Sequence, residues 1–334
     1  MNESQILEWK NKILRQTESK VQAYAKAEHN NSWFTSKEID RMLDSITKSY
    51  LDASKYNSWI QNYNLNSKYD TVGLIAAGNI PLVLFHDVLC ILATGATVKI
   101  KLSEKDSILP QWILNLLIDL DDQFSSKIEY VDRIQNVDAI IATGSDLSGN
   151  QFKSYFGKYP NIIRTHRNSI AVLSGNEDDS EIISLGEDVF SYYGLGCRNV
   201  SKIYVPENYD FEKLLRIWDE NFEYVMNNNK YKNNFDYNLA IHILNKAKMF
   251  QSLSTLLVES HSLNSRIACV HYEVYKEIPQ LIQNLNEQQD KIQDITSSSD
   301  ISIPHAKRIG SSQYPELTDY ADGVDTMKFL LKVS

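Results

Sequence analysis

Val72-Gly73-Leu74-Ile75-Ala76-Ala77-Gly78-Asn79-Ile80-Pro81 decides how the rest of this 334-residue chain is read. Its first six residues form an apolar run too short for a helix. The run stops at Gly78-Asn79 and Pro81, as a strand buried on both faces does when it ends in a turn. An apolar helix is expected over 82–93, then a turn at Thr94-Gly95 and a strand at Ala96-Thr97-Val98-Lys99-Ile100-Lys101. Strand, helix and strand in this order make a βαβ unit with parallel strands. A second round follows: a helix over 107–120, strands at Ile128-Glu129-Tyr130 and Asp138-Ala139-Ile140-Ile141-Ala142, and a turn at Thr143-Gly144-Ser145. Such alternation predicts an α/β fold with a mostly parallel sheet and ligands outside the carboxyl ends of its strands.

Downstream, strands are expected at Ile162-Ile163-Arg164 and Ile170-Ala171-Val172-Leu173, and a helix over 179–192 leads into Gly194-Leu195-Gly196-Cys197-Arg198-Asn199-Val200-Ser201. Beyond it lie a strand over 202–205, helices over 211–221 and 238–250, and a strand over 268–270, with loops at Asn227-Asn228-Asn229 and Ser297-Ser298-Ser299. Upstream, residues 3–63 read as helices. Ile6, Trp9, Ile13 and Leu14 recur at helical spacing, Ser36 with Glu38 resembles a helix cap, and no Gly or Pro occurs before Tyr69.

Composition narrows the function. The length suggests about two domains, and 43% hydrophobic residues suffice to bury both cores. The longest apolar stretch, 80–93, is interrupted by His86 and Asp87 and is too short to span a membrane. Met1-Asn2-Glu3-Ser4-Gln5 lacks the basic start of a signal peptide, so a cytoplasmic protein is expected. A net charge of −9 argues against nucleic acid as a partner. Cys90, Cys197 and Cys269 are odd in number and widely spaced, which fits neither a disulfide framework nor a zinc site.

Two glycines frame Cys197 where a helix end meets a strand. A thiol there is either a nucleophile or a small buried hydrophobe. Neither Gly-x-Gly-x-x-Gly nor Gly-x-x-x-x-Gly-Lys occurs. What remains is a series of strand ends carrying Asn79, then Lys101 with Glu104, then Gly144-Ser145, with Cys197 beyond them.

In that order these residues resemble the aldehyde dehydrogenase superfamily, and within it the LuxC-type acyl-CoA reductases, from Val72 to the C-terminus. Ala77-Gly78-Asn79-Ile80-Pro81 is similar to the superfamily's Asn-x-Pro turn, Lys101-Leu102-Ser103-Glu104 to its Lys-x-x-Glu ribose segment, and Thr143-Gly144-Ser145 to its Thr-Gly-Ser turn. Gly194 to Ser201 resembles the branch's nucleophile motif, and Asp319-Tyr320-Ala321-Asp322-Gly323-Val324-Asp325 its C-terminal signature. The resemblance implies a Rossmann-type parallel-sheet cofactor domain (69–168), a second α/β domain carrying the catalytic cysteine (169–310), an N-terminal helical segment (1–68), and a C-terminal segment (311–334) that returns to the cofactor domain or to an oligomer interface. It assigns catalysis to Cys197 and Asn79. Cofactor binding falls to Lys101, Ser103, Glu104, Thr143, Gly144 and Ser145.

The implied reaction is NADPH-dependent reduction of a fatty acyl-CoA to the aldehyde through an acyl thioester on Cys197, with NADH left open as the reductant. A homo-oligomer and a partner enzyme that supplies acyl groups belong to the same expectation. The chain departs from hydrolytic aldehyde dehydrogenases at Ile163-Arg164-Thr165-His166-Arg167-Asn168-Ser169, which has no carboxylate where they carry the base that activates water. His166 is a substitute acid or base, or holds structure or a CoA phosphate. The chain is also short for the superfamily. Two alternatives follow: a catalytically degenerate relative that binds acyl-CoA or a partner enzyme, and a dehydrogenase of free aldehydes. Arg198 or a helix N-terminus is the candidate for lowering the thiol pKa, and Phe190, Tyr192 and Tyr193 line an acyl tunnel or belong to the core.

Overall fold

The computed structural model describes residues 1–144, 146–165 and 167–332. The chain divides into two compact units, Met1–His166 with Pro315–Ser334, and Arg167–Tyr314.

The first unit opens with α1 (Glu3–Leu14), α2 (Glu18–Asn30), α3 (Ser36–Ser45) and α4 (Ala53–Ile60). The start of α1 is a capping box in which Asn2 and Gln5 each accept the other's backbone N–H at 2.9 Å. Its buried face is Ile6, Trp9 and Ile13, and Trp9 Nε1 donates to the Ile113 carbonyl at 2.9 Å. The cap expected at Ser36 lies one residue earlier: Thr35 is the N-cap, and Glu38 is buried and paired with Arg41 at 3.2 Å.

The sheet of this unit comprises β1 (Thr71–Ile75), β2 (Thr97–Lys101), β3 (Ile128–Tyr130), β4 (Ala139–Thr143) and β5 (Asn161–Arg164), in the order β3-β2-β1-β4-β5. Every pair is parallel. The central strand β1 is apolar because both its faces are covered, with Val72 and Leu74 fully buried. Between the strands run α5 (Phe85–Ala93), α6 (Ile108–Ile118) and α7 (Asp146–Phe156). α5 begins later than the sequence suggests, because Leu82 adopts φ +54° and keeps the chain in a turn after Pro81.

The second unit contains β6 (Asn168–Val172), α8 (Asp179–Phe190), β7 (Val200–Val205), α9 (Phe211–Phe222), α10 (Asn229–Leu244), β8 (Met249–Gln251), β9 (Leu256–Glu259), β10 (Cys269–Val274), α11 (Ile278–Glu287), β11 (Ile292–Ser297) and β12 (Lys307–Arg308). Its sheet has the order β12-β11-β6-β7-β10-β9-β8, parallel except for the antiparallel edge pair β8–β9. Phe190 of α8 stacks on Phe222 of α9 with centroids 4.9 Å apart and meets Trp218 edge-on at 5.3 Å.

Four expectations are corrected here. α8 ends at Phe190, not at Tyr192, because Tyr192 and Tyr193 are left-handed. The helix read over 238–250 occupies 229–244: Asn228 Oδ1 accepts the N–H groups of Lys230 and Tyr231, so the asparagine run starts a helix rather than forming a loop. Phe250 belongs to β8, and Ser297 ends β11.

The chain then returns to the first unit and ends in α12 (Thr326–Leu330). Tyr320, inside the Asp319–Asp325 signature, accepts from Trp59 Nε1 at 2.8 Å and lies 2.8 Å from the Tyr63 hydroxyl, which also donates to Asp325 at 3.0 Å. Among the described residues, no helix is long and apolar enough to cross a membrane.

Candidate active site

In the first unit, β1 connects to β2 on one side and β4 lies on the other, so the topological switch point falls between the carboxyl ends of β1 and β4. Open α/β sheets bind ligands at that point. The turn after β1 is held closely. A Cβ on Gly78 would stand 2.4 Å from Ser103 Oγ and 2.7 Å from Ser103 Cβ, so only glycine admits the approach of the two turns. Leu82 N–H donates to Asp106 Oδ2 at 2.7 Å, and burial pushes the Asp106 carboxyl up to about 7 although that bond acts in the opposite direction. Asn79 is exposed on the turn so braced.

Lys101 ends β2 and is exposed, as is Glu104, while Ser103 is half-buried. The Glu104 carbonyl accepts from Asn30 Nδ2 at 2.7 Å, which fastens this loop to the end of α2. Thr143 and Gly144 are half-buried at the end of β4. The Gly144 N–H is spent on the Arg164 carbonyl at 3.2 Å, so among the described residues the donors offered to an anion here are the orphan N–H groups of the first turn of α7. Ser145 and His166 lie outside the described residues. A nicotinamide dinucleotide fits this set: the switch point, a helix start after β4, and accessible polar side chains at the end of β2.

In the second unit, Cys197 follows a strained turn. Tyr192 (φ 52°, ψ 26°), Tyr193 (φ 58°, ψ 26°) and Gly194 (φ +76°) are left-handed in succession. For each tyrosine this costs on the order of 1–2 kcal/mol. Asn199 is buried under the turn, its Oδ1 accepting the Gly196 N–H at 2.8 Å and its Nδ2 donating to the carbonyls of Asp188, Val189 and Ser191 at 3.1, 3.3 and 2.8 Å. On the other side of the cysteine, Ser169 Oγ donates to the Cys197 carbonyl at 2.9 Å.

Cys197 is half-buried, whereas Cys90 and Cys269 are buried. Burial raises the Cys90 thiol well above its ordinary range and pushes Cys269 up to about 12. Arg198 does not aim an unneutralised charge at the sulfur. Its guanidinium pairs with Asp294, which also binds Lys307 at 3.0 Å. Phe190, Tyr192 and Tyr193 are all buried, and the contacts of Phe190 are those of the core.

Sequence reasoning missed four groups. Asn199 stands inside the quoted motif, but its partners come from α8. Ser169 lies 28 residues before Cys197. Asp188 accepts the N–H groups of Gly310 and Ser312 at 2.7 and 3.1 Å, and Gln313 Nε2 donates to the Arg198 carbonyl at 3.1 Å. No local pattern announces contacts across such separations.

No protein-family model matches the chain, and no curated protein does. Solved structures do match. Aldehyde dehydrogenase 21 from Physcomitrella patens, in complex with the reaction product succinate, superposes with a TM-score of 0.71 at 11% identity, covering 99% of this chain and 84% of its own. The fold is that of the aldehyde dehydrogenases. An NAD-dependent aldehyde dehydrogenase from Sinorhizobium meliloti gives 0.66 at 12% identity, covering 92% of this chain and 74% of its own. Aldehyde dehydrogenase C from Pseudomonas syringae, a cysteine-to-alanine mutant in complex with NAD+ and octanal, gives 0.61 at 12%, covering 93% and 82%. Identities this low establish the aldehyde dehydrogenase fold and no more.

Proposed function

We propose that the protein reduces a fatty acyl-CoA to the aldehyde and releases CoA, with Cys197 as the nucleophile that carries the acyl group. The observation that carries this reading is the placement of Cys197: a half-buried thiol just after a strained turn, with the Gly196 N–H before it and its own carbonyl both held by side chains, while the other two thiols are buried. Stored backbone strain of this kind is found at reacting centres.

In this reading the Cys197 thiolate attacks the thioester carbonyl, and Asn79 and the Cys197 backbone N–H donate to the oxyanion. The carbon–sulfur bond to CoA then breaks, and CoA leaves as a thiolate that takes up a proton. When bound, a reduced nicotinamide supplies the hydride that the reduction consumes. Lys101, Ser103, Glu104, Thr143, Gly144 and Ser145 would hold that cofactor. NADPH is the proposed reductant, with NADH tested beside it. The overall balance is acyl-CoA, NAD(P)H and a proton to aldehyde, CoA and NAD(P)+.

Two features favour a thioester over water-dependent oxidation of an aldehyde. The stretch 163–169 carries no carboxylate, and Arg164 within it is buried against Asp87 at 2.5 Å. A fatty acyl substrate accords with the octanal held by one structural neighbour. Assembly as a homo-oligomer, fed by an enzyme that supplies acyl groups, completes the proposal. The test is spectrophotometric: NADPH or NADH oxidation dependent on an acyl-CoA chain-length series, with release of CoA thiol. Tight acyl-CoA binding without oxidation of either cofactor would instead mark a protein that only binds.

A further inference from the structure

The helix that leads to the nucleophile stops two residues early. α8 ends at Phe190, so its last carbonyls lose the helical ladder. Three carbonyls, of Asp188, Val189 and Ser191, converge on a single group, the Nδ2 of Asn199. The other end of the same amide accepts the Gly196 N–H at 2.8 Å. A side-chain amide offers two N–H groups and one carbonyl oxygen, so Asn199 is engaged at both ends, and it is 3% exposed.

The geometry matters for the thiol. Gly196 N–H belongs to the Leu195–Gly196 peptide, and the Cys197 carbonyl belongs to the Cys197–Arg198 peptide. Asn199 fixes the first and Ser169 the second. Just before them the chain has left-handed residues at Tyr192, Tyr193 and Gly194, which relax toward ordinary backbone unless something opposes them.

We propose that Asn199 is the positioning residue of the nucleophile: by joining the frayed end of α8 to the Gly196 N–H it holds the left-handed turn and sets the direction of Cys197. The inference rests on the acyl-transfer reading of Cys197. It assigns Asn199 no contact with substrate, and it makes the strain of the tyrosine pair a consequence of one side chain eleven residues from Asp188.

The test uses the full-length chain, with iodoacetamide as probe of the thiol and dodecanoyl-CoA with NADPH as probe of turnover. Misplacing a reacting group by about 1 Å costs about 10²-fold in rate. Asn199→Ala, folded by circular dichroism, is therefore expected to lose about that much in kcat with KM little changed, and to be alkylated at Cys197 more slowly than the wild type. Asn199→Asp adds a pH readout, since only the protonated acid both accepts from Gly196 and donates to the carbonyls. Its alkylation rate relative to the wild type should recover as pH falls. A folded Asn199→Ala protein with wild-type alkylation and kcat would overturn the proposal. Should that variant not fold, an Asn199→Asp alkylation rate equal to the wild type's at every pH would do the same. Wild-type turnover in Cys197→Ala, together with slowed alkylation in Asn199→Ala, would unseat the acyl-transfer reading and leave the positioning role standing.

Discussion

Arg164 Nη1 and Asp87 Oδ2 stand 2.5 Å apart at the carboxyl end of β5, both side chains nearly sealed from water. The same arginine donates from Nη2 to Thr326 Oγ1 at 2.9 Å, and its carbonyl accepts the Gly144 N–H. One residue therefore joins α5, the C-terminal segment and the turn after β4. Breaking a buried pair from one side leaves a charge with no partner, which costs about 3–5 kcal/mol. Arg164→Met should lower the urea midpoint accordingly, and adding Asp87→Leu should restore most of the loss. Equal stability of the single variant and the wild type would show that the pair does not hold this corner.

Tyr320 makes the C-terminal signature a clasp. Tyr320→Phe removes the acceptor of Trp59 Nε1 and the neighbour of the Tyr63 hydroxyl. A buried donor left without a partner costs about 1–3 kcal/mol. A lowered thermal midpoint with cofactor affinity intact is the expected result.

The pH dependence of stability has a definite sign. Burial raises the carboxyls of Asp106 and Asp188 to about 7 in the folded protein, against an ordinary value of 3.8. The folded state then binds protons that the unfolded state has released. The contribution of these groups to stability is fully present below pH 3.8 and is lost as pH rises to about 7. Asp106→Asn, which keeps an acceptor for Leu82 N–H, should flatten that part of the curve. Denaturant titrations across this range would show an unchanged slope if Asp106 were already ionised throughout.

Asn79 is the side chain proposed to hold the oxyanion. Removal of one such donor costs about 10²–10³ in rate, so Asn79→Ala should lower kcat by that factor with a small change in KM. A variant with raised KM and wild-type kcat would place Asn79 in ground-state binding instead.

Much of the first unit was legible because a parallel sheet writes its strands as short apolar runs. Thr71–Ile75, Thr97–Lys101 and Ala139–Thr143 follow the expected strands within a residue or two. Reading was poorer where side chains far apart in sequence decide the backbone. The left-handed tyrosine pair that ends α8 is followed only by Asn199 and Gly194 in the local sequence, and propensity alone carries the helix on to Tyr192. Likewise Asn227–Asn229 reads as a loop by composition, yet Asn228 caps α10. At the site, strand ends pointed to Asn79, Lys101 and Glu104 as candidates, and a helix–strand junction pointed to Cys197. The groups that hold them, Asp106, Asn30, Ser169 and Asn199, became visible only through contacts.

Intact-mass analysis after incubation with dodecanoyl-CoA, in the absence of any nicotinamide, isolates the acyl-transfer step. A single dodecanoyl adduct that maps to Cys197 and is lost in Cys197→Ser is the expected result. An unmodified wild-type protein, or an adduct that persists in Cys197→Ser, would contradict the account.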